Sequence, residues 1–190
     1  MTWPKCIEKA ITEIGLRGLF LIQSQTAYID VFQRMKDIFH QESFSEIKTD
    51  NSKLRTYSKF KDTTGYENYL NEIKNLQERT SFTRLRLSNH ELMIEKGRHQ
   101  RLERQQRICP FCPNFNEDEI HFLLICPGYK TIRTKLFSEI GEKLPNFDDL
   151  QNNQKFLYLM ANHNLASITA KYVLKMMELR KALVIYLASM

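Results

Sequence analysis

Cys109, Cys112, His121 and Cys126 stand at the spacing C-x2-C-x8-H-x4-C, and no other feature constrains the folding of this chain so strongly. Zinc takes sulfur and nitrogen donors in closed tetrahedral sets of four, and a Cys-x-x-Cys turn followed by a helix-borne His and Cys supplies such a set. With all four positions taken by protein, no site remains for water or substrate. The spacing therefore predicts one structural Zn2+ and no chemistry at the metal. Pro110 and Pro113 stiffen the turn that carries the first two thiols, which lowers the entropy lost when they converge. Asn116 is expected to cap the next helix, with Glu119 at the reciprocal capping-box position and Glu117 and Asp118 in the first turn. That helix carries His121 and ends at Cys126, where Pro127-Gly128 stops it. The last two ligands lie a little over one turn apart, a separation that a distorted final turn can close around the ion. Phe122, Leu123, Leu124 and Ile125 between them should pack the zinc unit onto a larger body.

That body has enough apolar material. The chain has 190 residues, of which 42% are hydrophobic, with twelve Phe and eight Tyr, sufficient for one domain or for a helical body with a metal-stapled appendage. No 18-residue apolar run occurs, and charges fall where a signal peptide would place its apolar segment. The expectation is an intracellular protein, cytoplasmic or nuclear, with no membrane partner. A reducing compartment argues against disulfides, and Cys6, remote from the other three cysteines, is expected to be a buried free thiol.

Helical periodicity dominates the rest. Ile7, Ala10, Ile11 and Ile14 form a first helix ending near Gly15, followed by the apolar patch Leu19 to Ile22. Tyr28, Ile29, Phe32, Met35, Ile38 and Phe39 mark a second helix whose stripe is expected to be core. After a polar break at Thr49 to Ser52, residues 53–61 suit a short strand or an extended link. Tyr66, Tyr69, Leu70, Ile73 and Leu76 predict a third helix, entered through the turn at Asp62 to Gly65. Ser88 and Glu91 form a capping-box signature, with Gly97 as the stop. Ile132, Leu136, Phe137 and Ile140 give a helix ending near Gly141, and Ile168, Tyr172, Met176, Leu179, Leu183 and Leu187 a long amphipathic C-terminal one. The predicted fold is mainly α, an irregular helical bundle with an inserted structural zinc knuckle. It divides into a helical region over 1–97, a basic lead and knuckle over 98–128, and C-terminal helices over 129–190.

The net charge of +6 is unevenly placed. Residues 79–107 carry eight basic and three acidic side chains, whereas residues 1–78 balance at eleven of each. A concentrated positive stretch favours polyanions, of which nucleic acid is the commonest in cells. Arg79, Arg84, Arg86, Arg98, Arg101, Arg104 and Arg107 are the candidate phosphate contacts, and few aromatics interleave with them, so base stacking is expected to be minor. Arg104, Arg107 and Lys130 are also close enough to the ligands in sequence to offset the formal charge of −1 that three thiolates leave on zinc.

The run from Arg84 to Arg98, including Ser88, His90, Leu92, Ile94, Glu95 and Gly97, leads through Arg107-Ile-Cys-Pro-Phe-Cys to Glu117-Asp-Glu-Ile-His-Phe-Leu-Leu-Ile-Cys-Pro. It resembles the segment that follows the polymerase in non-LTR, LINE-type retrotransposon reverse transcriptases. Trp3-Pro-Lys5, Lys53 to Tyr57 and Tyr66 to Leu70 extend the likeness over most of residues 1–145. The resemblance implies a knuckle, held by Cys109, Cys112, His121 and Cys126, that grips template RNA or target DNA, with His90 and Arg98 as motif positions of unassigned role. The polymerase carboxylates are missing. The only Asp-Asp pair, Asp148-Asp149, lies in a polar stretch expected to be a cap or loop, and Glu178-Leu-Arg180 lacks the lysine of the family's nuclease. The sequence thus predicts a non-catalytic, zinc-stabilised nucleic-acid-binding module, either part of such a reverse transcriptase or derived from one. The alternative is a protein-interaction module whose C-terminal helix docks on a polymerase core or self-associates.

Overall fold

The computed structural model describes residues 3–18, 25–49, 54–61 and 65–189. The expected patch at Leu19 to Ile22, most of the break before residue 53 and most of the turn at Asp62 to Gly65 lie outside them, as does the side chain of Trp3. Among the described residues the chain is mainly α, with one two-stranded antiparallel hairpin. It divides into two compact units, residues 1–49 and 50–190.

The first unit holds α1 (Trp3–Glu13) and α2 (Gln25–Lys48). Gly15 adopts a φ of +79° just past α1, the left-handed conformation that ends helices and that glycine adopts without strain. Arg34 Nε of α2 donates to the Ile14 carbonyl at 3.2 Å. The α2 stripe is not core. Tyr28, Ile29, Phe32, Met35 and Phe39, about three turns of α2, are all more than half exposed. Cys6 is also exposed, which corrects the expectation of a buried thiol.

The second unit is organised by α8 (His163–Ala188), against which α3 (Tyr69–Glu72), α4 (Leu76–Arg86), α6 (Lys130–Gly141) and α7 (Asn152–Ala161) all pack. Asn162 ends α7 and starts α8, and its side chain accepts a bond from the Asn164 amide at 3.0 Å. Leu165, Ala166, Ala170, Tyr172, Val173 and Met176 are buried along α8. Two alanines in that row allow neighbouring helices to approach closely. Phe82 and Leu85 of α4, Leu136 and Ile140 of α6, and Phe156 and Leu159 of α7 complete the centre of the core. Truncating any of these leucines to Ala costs about 2–5 kcal/mol.

Several local boundaries differ from the sequence reading. The third helix is broken: Asn75 is extended, and its side-chain oxygen accepts bonds from the Gln77 and Glu78 amides, so α4 starts afresh at Leu76. Residues 57–59 form a 3-10 turn instead of a strand or extended link. Ser88 does not cap a helix. It adopts a φ of +52°, and its hydroxyl donates to Thr56 Oγ1 at 2.7 Å. The next helix, α5 (Met93–His99), begins after Leu92 and passes through Gly97. A Cβ on Gly97 would lie 2.7 Å from Arg107 Cγ, so glycine serves here as a contact surface for the Arg107 stem and not as a stop. Asp148 and Asp149 are exposed in the turns before α7, as expected of a loop.

Candidate metal centre

The hairpin strands β1 (Ile108–Cys109) and β2 (Cys112–Asn116) pair Cys109 with Cys112 across the Pro110-Phe111 turn. The helix after them starts later than expected. Asn116 ends β2 and donates through its side-chain amide to the Arg104 carbonyl. Asp118 takes the capping role instead, its carboxylate accepting from the His121 amide at 2.8 Å.

His121 to Ile125 then form a π-helical turn, closed by the Cys126 amide donating to the His121 carbonyl at 2.7 Å. In a regular α-helix, five residues at about 100° each would leave His121 and Cys126 about 140° apart around the axis. The wider π turn returns them to one face, and such single-turn bulges recur at functional sites.

All four predicted ligands meet here. Their donor atoms lie within 4.8 Å of one another, and all four residues are buried. Cys126 Sγ is 3.9 Å from Cys109 Sγ and 3.6 Å from Cys112 Sγ. Zn–S bonds of 2.3 Å at a tetrahedral angle place sulfurs about 3.8 Å apart, whereas a disulfide needs about 2.05 Å. Both imidazole nitrogens of His121 are buried without a hydrogen-bond partner. Such orphaned atoms cost about 1–3 kcal/mol each unless something else satisfies them, and a coordinated ion would satisfy one. The Phe111 and Gly128 amides donate to the sulfurs of Cys109 and Cys126, an arrangement that favours thiolates. In the absence of a cation, burial pushes the Cys109 thiol up to about 12 and raises that of Cys126, while burial lowers His121. A divalent ion supplies the positive charge the site lacks and displaces the thiol protons on binding. The donor set and its geometry thus fit a metal ion.

A buried carboxylate network braces the site. Glu117, fully buried, accepts from Arg180 Nε and Nη2 at 2.6 and 2.7 Å and from the Met93 amide at 2.7 Å. Arg180 lies on α8, so this bidentate pair ties the hairpin to the central helix. Burial alone would depress the Arg180 guanidinium, but Glu117 outweighs it and the net shift is upward. Glu119 Oε1 accepts from Arg55 at 2.7 Å, Thr56 Oγ1 at 2.8 Å and His90 Nε2 at 2.9 Å. Burial works against the charge on Glu119, yet His90 and Arg55 prevail and hold its carboxyl at about 2. An ionised carboxylate only accepts, so Nε2 carries the His90 proton. Arg55 also reaches Glu95 at 3.2 Å, and Glu95 holds Arg98 at 2.8 Å. Buried Arg133 donates to the Cys126 carbonyl at 2.7 Å, which places a cation beside the thiolates.

The seven candidate arginines divide between fold and surface. Arg86 is 4% exposed. Its guanidinium lies 4.5 Å from the ring centres of both Phe60 and Tyr69, pairs with Glu67 at 2.6 Å and donates to the Met160 carbonyl. It is removed from the phosphate-contact set, because its guanidinium is buried between aromatic rings and paired with Glu67 inside the core. Arg79 caps α3 by donating to the Leu70 and Ile73 carbonyls, and Arg107 donates to those of Ile94 and Leu102. Arg84, Arg101 and Arg104 are exposed, and Arg98 is partly so. Among the described residues no helix is long and apolar enough to cross a membrane. Compared with protein-family models, curated proteins and solved structures, the chain matches none.

Proposed function

We propose that this chain is a zinc-stabilised, non-catalytic nucleic-acid-binding module of the kind that follows the polymerase in LINE-type reverse transcriptases. The observation that carries the reading is a buried Cys3His set immediately downstream of exposed cations. Zinc suits three thiolates and an imidazole better than oxygen-seeking cations do, and four protein donors close its shell. Arg84, Arg98, Arg101 and Arg104 are the phosphate contacts, with Lys96 and His99 beside them. Arg79, Arg86 and Arg107 belong to the scaffold. Contacts of this type recognise backbone and not sequence.

Salt titration of binding to structured RNA and to duplex DNA tests it. Four arginine contacts give a slope of log affinity against log salt of about −3.6 on duplex. Reversing the charges of Arg84, Arg101 and Arg104, which lie outside the carboxylate network, should remove most of that slope while zinc content stays at one per chain. A flat salt response refutes the reading.

A second reading, a protein-docking module, is favoured by the far end of α8, where Ile185, Tyr186 and Leu187 are 61, 58 and 46% exposed. Under that reading Ile185→Glu changes the oligomeric state or partner binding and leaves nucleic-acid affinity unaltered.

A further inference from the structure

The zinc unit presents one aromatic ring to solvent. Phe115, on β2, is 55% exposed, yet its ring stacks nearly parallel to the His121 imidazole, with centres 5.4 Å apart and planes 17° from each other. One face of the ring is thereby turned toward a ligand residue, and more than half of the residue remains open to solvent. An apolar ring held this way on a short strand loses little freedom when a second planar group stacks on it. The next residue, Asn116, donates to the Arg104 carbonyl. This bond brings the backbone of the exposed Arg104 beside the strand that carries the ring. A flat apolar ring on a strand tied to the backbone of an exposed arginine matches the repeating unit of an unpaired nucleic-acid strand, a planar base linked to a phosphate. Bases inside a duplex offer no free face.

Resting on the nucleic-acid reading above, we infer that Phe115 is a base-stacking platform, and that the preferred ligand of the zinc unit is a single-stranded segment whose flanking phosphates are held by Arg101 and Arg104. The low aromatic content of the basic stretch itself hides this, because the stacking ring lies eleven residues beyond Arg104.

The test compares a 12-nucleotide oligothymidylate and its ribose counterpart, oligouridylate, with a 12-base-pair DNA duplex, using the full zinc-loaded chain. Removal of an aromatic platform weakens single-strand binding about 5- to 150-fold. Phe115→Ala should therefore lose that much affinity for both single strands, keep its duplex affinity within twofold and leave the salt slope unchanged. Arg101→Gln combined with Arg104→Gln should instead lower the single-strand slope by about 1.4. Phe115→Trp in a Trp3→Phe background should retain binding and show fluorescence quenching when a base stacks on it, a readout that holds even if Phe115→Ala fails to retain zinc. Equal effects of Phe115→Ala on single strand and duplex, or an unquenched Trp at saturation, overturn the stacking inference while leaving the charge-based reading in place. No salt-dependent binding of any of the three nucleic acids overturns both.

Discussion

Replacing Arg180 with Met tests whether the metal unit and the helical body are one cooperative structure. The Met side chain keeps the aliphatic stem against the core and deletes the guanidinium, which donates to both oxygens of Glu117 at 2.6 and 2.7 Å. Glu117 is then left with the Met93 amide as its remaining donor, inside a site where its side chain has no solvent exposure. Breaking a buried pair in this way costs about 3–5 kcal/mol, because a charge remains without its partner. For a unit of this size, a kcal/mol corresponds to about 4 °C in melting temperature, so zinc-loaded Arg180→Met should melt about 12–20 °C below the wild type. Glu117 joins β2 to the ligand turn, so loosening it should also weaken zinc retention about tenfold in competition with a chromogenic chelator. Adding Glu117→Gln removes the orphaned charge, and the double variant should recover at least half of the lost stability. A single variant within 1 kcal/mol of wild type, or a double variant no more stable than Arg180→Met, refutes the reasoning.

Two further outcomes follow from contacts away from the ligands. Gly97→Ala drives a methyl group into the Arg107 stem, whose Cγ would lie 2.7 Å away. Overpacking of this kind costs about 1–3 kcal/mol, measurable by urea unfolding, and an unchanged midpoint would contradict the packing described. Burial works to raise the Glu67 carboxyl, but hydrogen bonds from Lys61 and Tyr57 and the Arg86 charge outweigh it and hold the group below its ordinary value of 4.5. A depressed folded-state value contributes stability that is complete above the unfolded value and is lost as pH falls through the folded one. Glu67→Gln should therefore destabilise the protein by about 1–3 kcal/mol at neutral pH, and the gap to wild type should close as pH falls below about 4.5. A gap that is constant from pH 7 to pH 3 would contradict the pairing.

What the sequence disclosed depended on distance along the chain. The four ligands were legible because their spacing is local, and the x4 interval between His121 and Cys126 was one that a distorted turn could close. The π turn is that distortion. Helices α1, α6 and α8 followed from periodicity and flanking stops. The break before α4 carried a signal, Asn75 followed by Glu78, that a continuous apolar pattern concealed. Asn116 and Asp118 are both good caps, and only the extent of β2 decides between them. The bracing network was not legible, since Glu117 and Arg180 are 63 residues apart and Glu119 and Arg55 are 64 apart. Arg86 looks like its neighbours in a basic run, and its burial comes from Phe60, Tyr69 and Met160, which only the tertiary fold brings together. Arg133 likewise carries no motif, and His90 has no assignable role along the sequence until Glu119 is seen beside it.

X-ray absorption at the zinc edge of the purified chain, with elemental analysis of the same sample, addresses the central claim most directly. The account predicts one zinc per chain, with three sulfurs at about 2.3 Å and one nitrogen at about 2.0–2.1 Å, and loss of the ordered second unit when a strong chelator removes the ion. A fully folded metal-free protein, or a shell in which oxygen replaces a sulfur or the imidazole, would contradict it.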